Sequence, residues 1–436
     1  MPAAADTPAN PLATPLALPC GAVLPNRLAK GAMTEGLADP QGRATAELAR
    51  LYGLWADGGA GLLISGNVQI DGDHLERPGN VILDRRPDAA GREALSAMAA
   101  AGTRGGGHLW MQISHAGRQT PATVNPHPKA PSPVAVALPG NQFGQPVALT
   151  EAEILDLVER FGVAAETARE TGFTGVQIHA AHGYLLSQFL SPRANLRQDA
   201  WGGSLENRAR MLMQVVDRVR RGVGADFPIS VKLNSADFQK GGFAFEDSVT
   251  VAGWLQQAGV DLLEISGGSY EQPAMMDIDG MEPKDMPPVK ASTAAREAYF
   301  VDFARTLRGS LTLPLMVTGG FRSRAAMTQA LESGGADVIG LGRPLCADPA
   351  GPAKLLVGAD SLERWETRLH LLPAPLRFLN RIKLIQAMEG FAVSYWYYAQ
   401  IDALARTGQP NTGISPFAAL QAVNRAGAAW LKARRG

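Results

Sequence analysis

Residues 172–208 read GFTGVQIHAAHGYLLSQFLSPRANLRQDAWGGSLENR. Gly172 stops a helical pattern over 151–171, because glycine reaches the backbone that ends a helix without steric cost. That helix opens with Thr150 and Glu153, the spacing of a capping box. Leu155, Val158, Val163 and Ala164 follow near the helical period. Gly175–His179 is then a short, nearly continuous apolar run, which reads as a strand covered on both faces. His179, His182 and Tyr184 crowd its C-terminal end.

The same rhythm runs outward in both directions. Strands are expected at Leu28–Met33, Gly61–Ile70, Leu109–His115, Gly175–His179, Ile229–Asn234, Leu262–Ser266, Leu315–Thr318 and Val338–Gly342. Helical patterns fill 45–57, 88–102, 151–171, 205–221, 246–259, 294–309 and 323–334, with more after 350. Eight β–α alternations point to a closed (β/α)8 barrel of the TIM type. An open doubly wound sheet would want GxGxxG after its first strand, and Thr34-Glu35-Gly36 stands there instead. The expected organisation is a flexible arm over 1–20, a barrel over 21–355 and a helical extension over 356–436 packed on it.

Composition removes several classes of function. Forty-one basic residues balance forty-one acidic ones, so no electrostatic footprint for nucleic acid or an anionic membrane is expected. Two cysteines, Cys20 and Cys346, cannot hold an iron–sulfur cluster or build a disulfide framework. The N-terminus is a poor signal peptide, and Ile385–Ala405 reads as a packing helix rather than a membrane span. A cytoplasmic protein, alone or as a homo-oligomer, is the expectation.

Barrel chemistry is read at the C-terminal strand ends. These ends carry Thr34, Gln112 with His115, the His179–His182–Tyr184 group, Lys232, Gly319-Gly320 with Arg322, and Gly342-Arg343. Glycine turns leading into helices after strands seven and eight, with an arginine, suit a phosphate. The histidine pair leaves three readings open. It could be a metal pair lacking a third ligand, two core histidines satisfied by backbone, or two donors aimed at an oxygen that gains charge. Tyr184 favours the last, since a phenol can deliver a proton. Two long loops follow strand ends, proline-rich 116–149 and methionine-rich 267–293 with Met275, Met276, Met281 and Met286, and read as lids.

The stretch 172–208 closely resembles the signature of the old yellow enzyme family of FMN-dependent ene-reductases. PNRLAKGAM from Pro25, MQISHAGR from Met111, SVKLNSADF from Ser230, LMVTGGFRS from Leu315 and DVIGLGRPL from Asp337 extend the likeness in family order over about 20–350. The resemblance implies FMN at the strand ends and NADH or NADPH as reductant. It places Ala32, Met33 and Thr34 beside the flavin, Thr34 near O4 and N5. Gln112 matches the residue on the pyrimidine edge. Lys232 matches a position, often Arg, beside N1 and O2. Gly319, Gly320, Gly342 and Arg343 match phosphate contacts. His179 and His182 match the pair that grips the oxygen of an activated alkene, and Tyr184 the proton donor. Other relatives carry His-Asn for the pair, and many carry Glu at Gln177. Amine oxidation or demethylation, double-bond isomerisation, a flavin-free phosphate-binding barrel and a flavin-holding protein without turnover stay open beside ene-reduction.

Overall fold

The computed structural model describes residues 10–138, 142–267 and 303–436. Eight parallel strands close into a barrel: β1 Leu28–Lys30, β2 Leu62–Gln69, β3 His108–Ser114, β4 Gly175–Ala180, β5 Ile229–Asn234, β6 Leu262–Ser266, β7 Leu315–Thr318 and β8 Val338–Leu341. Each expected strand is present, with ends shifted by a few residues at most. The outer layer contains α1 Ala46–Asp57, α2 Ala89–Thr103, α3 Glu151–Glu170, α4 Leu205–Val223, α5 Phe245–Gln257 and α6 Arg324–Glu332.

Strand alternation sorts the side chains between two environments. Leu109, Met111 and Ile113 of β3, and Val176, Ile178 and Ala180 of β4, face the helices. Ala29, Leu62, Ile64, Trp110, Leu262, Met316 and Val338 fill the barrel interior. Toward the C-terminal ends the interior turns polar, with Gln112, Gln177, Ser230, Lys232 and Glu264 all buried. This apolar floor and polar upper layer give the barrel a chemical direction.

Thr150 and Glu153 form the full capping box at the start of α3. The buried face of that helix is Ile154, Leu157, Val158, Phe161, Ala164 and Ala165, while Leu155 is exposed. Of the arm expected to be flexible over 1–20, the described part, from Asn10 on, is instead fixed. Pro11–Ala13 make a short 3-10 turn, and Leu16–Ala17 pair antiparallel with Val23–Leu24. Leu18 and Leu24 join the interior cluster and close the N-terminal end of the barrel.

The described part of loop 116–149 is tied down. Its segments Lys129–Ala130 and Val147–Ala148 pair in parallel, and Arg197 donates to the carbonyls of Pro131 and Leu149. The methionine-rich segment expected as a second lid lies outside the described residues from 268 on. Beyond the barrel, α7 Lys383–Thr407 buries Trp396, Tyr397 and Ile401, and α8 Pro416–Arg435 follows it. Trp430 of α8 donates to the carbonyls of Ala38 and Asp39, and Arg434 to that of Pro40. The extension is thereby held near the loop that leaves β1. Among the described residues, no helix is long and apolar enough to cross a membrane.

Candidate active site

Register brings the inward polar residues of neighbouring strands level with one another. Gln112 pairs with Gln177, and Lys232 with both His179 and Glu264. Gln112 Nε2 donates to Gln177 Oε1 at 2.6 Å, and Gln177 Nε2 donates to Glu264 Oε2 at 2.8 Å and Ser230 Oγ at 3.2 Å. Glu264 Oε1 lies 2.9 Å from Lys232 Nζ. This network gives Gln177 a role that its sequence position did not reveal: its amide donates to a buried carboxylate and accepts from Gln112. A glutamate there would set two carboxylates side by side. Glu264 itself was missed, although an acid inside the apolar run LLEIS was a readable signal.

His179, level with Lys232 in the register, stands beside this network with His182. His179 Nδ1 accepts the backbone N–H of Ala181 at 3.2 Å. Burial, then the neighbouring His182 and Lys232, pushes His179 well below its ordinary 6.5. A neutral imidazole with Nδ1 accepting carries its proton on Nε2, so His179 is an Nε2–H donor. His182 is likewise held neutral by burial and by Lys232. Its ring lies edge-on to His179, with centroids 5.1 Å apart, and its Nε2 meets the Ser266 hydroxyl. His182 adopts a left-handed φ of 61°, uncommon for a residue with a side chain. Asn234 Oδ1 holds its N–H at 3.1 Å and Gln119 Nε2 holds its carbonyl at 3.0 Å. The Tyr184 ring stands edge-on to His179 at 4.9 Å. The three sequence-predicted residues therefore form one cluster at the barrel mouth.

Glu76, in the loop after β2, accepts hydrogen bonds from the hydroxyls of Thr34 and Tyr184 and from the amide of Asn67. Asn80 Nδ2 also donates to it, at 3.4 Å. Nothing in the turn ERPGN advertised this carboxylate. Nearby, the Cys346 thiol donates to Met33 Sδ at 3.4 Å, and burial pushes that thiol up to about 12.

The other end of the mouth is built from glycine. Gly319 and Gly320 have φ of 126° and 78°, and no atom would meet a Cβ placed on Gly319. At Gly340 a Cβ would fall 1.9 Å from Thr318 Oγ1, so only glycine lets β7 and β8 approach there. Gly342 and Arg343 follow, opening the short helix Pro344–Ala347. Arg322 is buried behind the turn and donates to Glu366 at 2.8 Å, which also accepts from Tyr397 of α7 at 2.9 Å.

His115 joins none of these groups. It stacks on His74 at 4.5 Å, and both rings turn one nitrogen toward Asp71. The three could converge on a cation. However, His74 Nε2 accepts from the Lys129 N–H at 2.7 Å and His115 Nδ1 from the Gly117 N–H at 3.0 Å. With those nitrogens accepting, the protons sit on the nitrogens facing Asp71, where a metal would need lone pairs. Burial alone would raise Asp71, but the two imidazoles, with nitrogens 3.8 and 3.2 Å from its oxygens, hold it well below the carboxylate range. The cluster is a clamp that ties the loop after β2 to the end of β3.

The sequence profile of the NADH:flavin oxidoreductase / NADH oxidase family matches residues 11–360. The chain is 34% identical over 420 residues to the NADH-dependent flavin oxidoreductase iccE of Talaromyces variabilis, covering 91% of this chain and 99% of that one. Among solved structures, the old yellow enzyme homologue of Zymomonas mobilis matches with a TM-score of 0.66 and 27% identity, covering 83% of this chain and 97% of that one. Morphinone reductase matches with a TM-score of 0.65 and 27% identity, over 81% of this chain and 92% of that one. The chain belongs to the NADH:flavin oxidoreductase / NADH oxidase family, with the old yellow enzymes, and is an NAD(P)H-dependent flavin oxidoreductase whose cofactor is FMN.

Proposed function

We propose that this protein reduces the activated C=C bond of α,β-unsaturated carbonyl and nitro compounds. The observation that carries the reading is the neutral His179, its proton assigned to Nε2, packed with His182 and Tyr184 at the C-terminal mouth.

The mouth fits FMN by its donor chemistry. Positive-φ glycines and Arg343 suit the phosphate, while Gln112 and Lys232 suit the polar edge of the ring. Thr318 Oγ1 and Ser114 Oγ are buried at the same strand ends without a hydrogen-bond partner among the described residues. Ala32, Met33 and Thr34 would border the ring, and Gly319, Gly320, Gly342 and Arg343 would hold the phosphate. Bound FMN supplies the chemistry of accepting a hydride from NADH or NADPH and passing it to the alkene.

The rest is the work of the chain. His179 and His182 hydrogen-bond the carbonyl or nitro oxygen and stabilise the negative charge that grows there. Because both rings are neutral, they act as dipolar donors without contributing their own protons. Tyr184 gives the α-carbon its proton. Nicotinamide and alkene use the same site in turn, so the kinetics are ping-pong. The test is anaerobic reduction of the FMN-loaded protein by NADH or NADPH, followed by a panel of enones and nitroalkenes. His179→Ala and His182→Ala should each lower enone turnover by about 10²–10³-fold. Wild-type turnover in both variants would overturn the assignment.

A further inference from the structure

The alkene reduction proposed above consumes one proton per turnover, and that proton must come from solvent. Tyr184 is only 4% exposed, so its phenol needs a route to water once it has given its proton away. The Tyr184 hydroxyl donates to the carboxylate of Glu76, which is partly exposed.

Glu76 is held firmly enough to serve. Asn67 and Tyr184 donate to Oε2, and Thr34 and Asn80 to Oε1, so the carboxylate cannot swing without breaking several bonds. The loop that carries it is fixed at both flanks. Upstream, the Asp71–His74–His115 clamp anchors it to β3. Downstream, the Arg77 guanidinium lies 4.1 Å over the Tyr398 ring of α7, and the Gly79 carbonyl accepts from the Ala38 N–H at 2.9 Å. Asn80 closes the turn by donating to the Asn67 carbonyl at 3.2 Å.

We propose that Glu76 is the positioning residue and proton inlet of Tyr184, taking a proton from water and returning it to the phenol after each reduction. The step balances simply. The Tyr184 O–H bond breaks as the C–H bond forms at the α-carbon, which leaves a phenolate. A solvent acid protonates Glu76 Oε2. That carboxylic O–H then breaks as the phenol O–H re-forms. A carboxylic acid is ordinarily stronger than a phenol by about six pH units, so the last transfer runs downhill. The contact with Thr34 gives the same carboxylate a second task, fixing the hydroxyl proton of the residue expected beside the flavin.

The proposal rests on the reading of Tyr184 as proton donor, so the test carries a control for each. FMN-loaded Glu76→Gln keeps the shape of the side chain and loses the proton site. Its kcat with an enone should fall about 10²-fold with KM little changed, and its solvent isotope effect should rise. Glu76→Ala should be similarly slow, and added formate should restore turnover in proportion to its concentration. Glu76→Asp should recover part of the rate. In FMN-free protein at neutral pH, the 13Cζ resonance of Tyr184 should move in Glu76→Gln, a readout independent of turnover. Wild-type kcat and isotope effect in Glu76→Gln, with no change in that resonance, would overturn the proposal. Normal turnover in Tyr184→Phe would instead overturn the reading of Tyr184 beneath it.

Discussion

At the scale of single residues, the least expected feature is a buried acid. Lys232 was read as a cation beside the flavin, but Glu264 lies 2.9 Å from its ammonium and is fully buried. The pair is close to neutral as a unit, so beside a bound flavin it would stabilise an anionic reduced ring less than a lone cation. Glu264→Gln keeps an oxygen for Gln177 and leaves the charge of Lys232 uncompensated. The midpoint potential of bound FMN should therefore rise, on the order of tens of millivolts, a tenfold shift in a two-electron equilibrium being about 30 mV. Spectroelectrochemical titration of the two holoproteins checks this, and a fall in potential would contradict it.

At the scale of elements, the packing of β1 on α1 contains a lysine where an apolar residue would be usual. Lys30 is fully buried, 4.4 Å over the Trp55 ring, and donates to the Ile64 carbonyl at 2.6 Å. That carbonyl adjoins the irregularity of β2 between Ile64 and Asn67, where the ladder loses its regular pairing. The lysine thus serves a backbone group that the bulge sets free. Burial lowers its value to about 8, although nearby Glu35 works the other way. A lysine lowered in the fold binds fewer protons there than in the unfolded chain between about pH 8 and 10.5. Its cost to stability is present below that window and disappears as pH rises through it. The unfolding free energy of the wild type relative to Lys30→Met should accordingly increase by about 3 kcal/mol from pH 8 to 10.5. Paired denaturation curves at those pH values measure it, and a constant difference would refute it.

At the scale of the whole molecule, several histidines are buried neutral. Burial and the adjacent His74 push His115 down to about 4, and His179 and His182 lie well below 6.5. As pH falls below 6.5, the unfolded chain takes up protons that the fold refuses, so stability decreases. His115 alone contributes about 3 kcal/mol of loss between pH 6.5 and 4. Asp71 stays ionised through that window and does not oppose the trend. Urea unfolding at pH 7 and pH 4.5 should show the drop in the wild type, and His115→Asn should flatten it.

The barrel and the clustering of the two histidines with Tyr184 were legible in the linear chain, because strand alternation, helix stops and the glycine turns are local patterns set by backbone sterics and side-chain period. His179, His182 and Tyr184 lie within six residues of one another, so no folding was needed to associate them. Gln112, Gln177, Lys232 and Glu264 belong to four strands, and only closure of the sheet brings them into one hydrogen-bonded network. Glu76 reaches Tyr184 across 108 residues, carried by a turn without periodicity and held by clamps from β3 and α7. Contacts of that kind follow from how the loops pack at the rim, a property of the assembled barrel rather than of any segment in it.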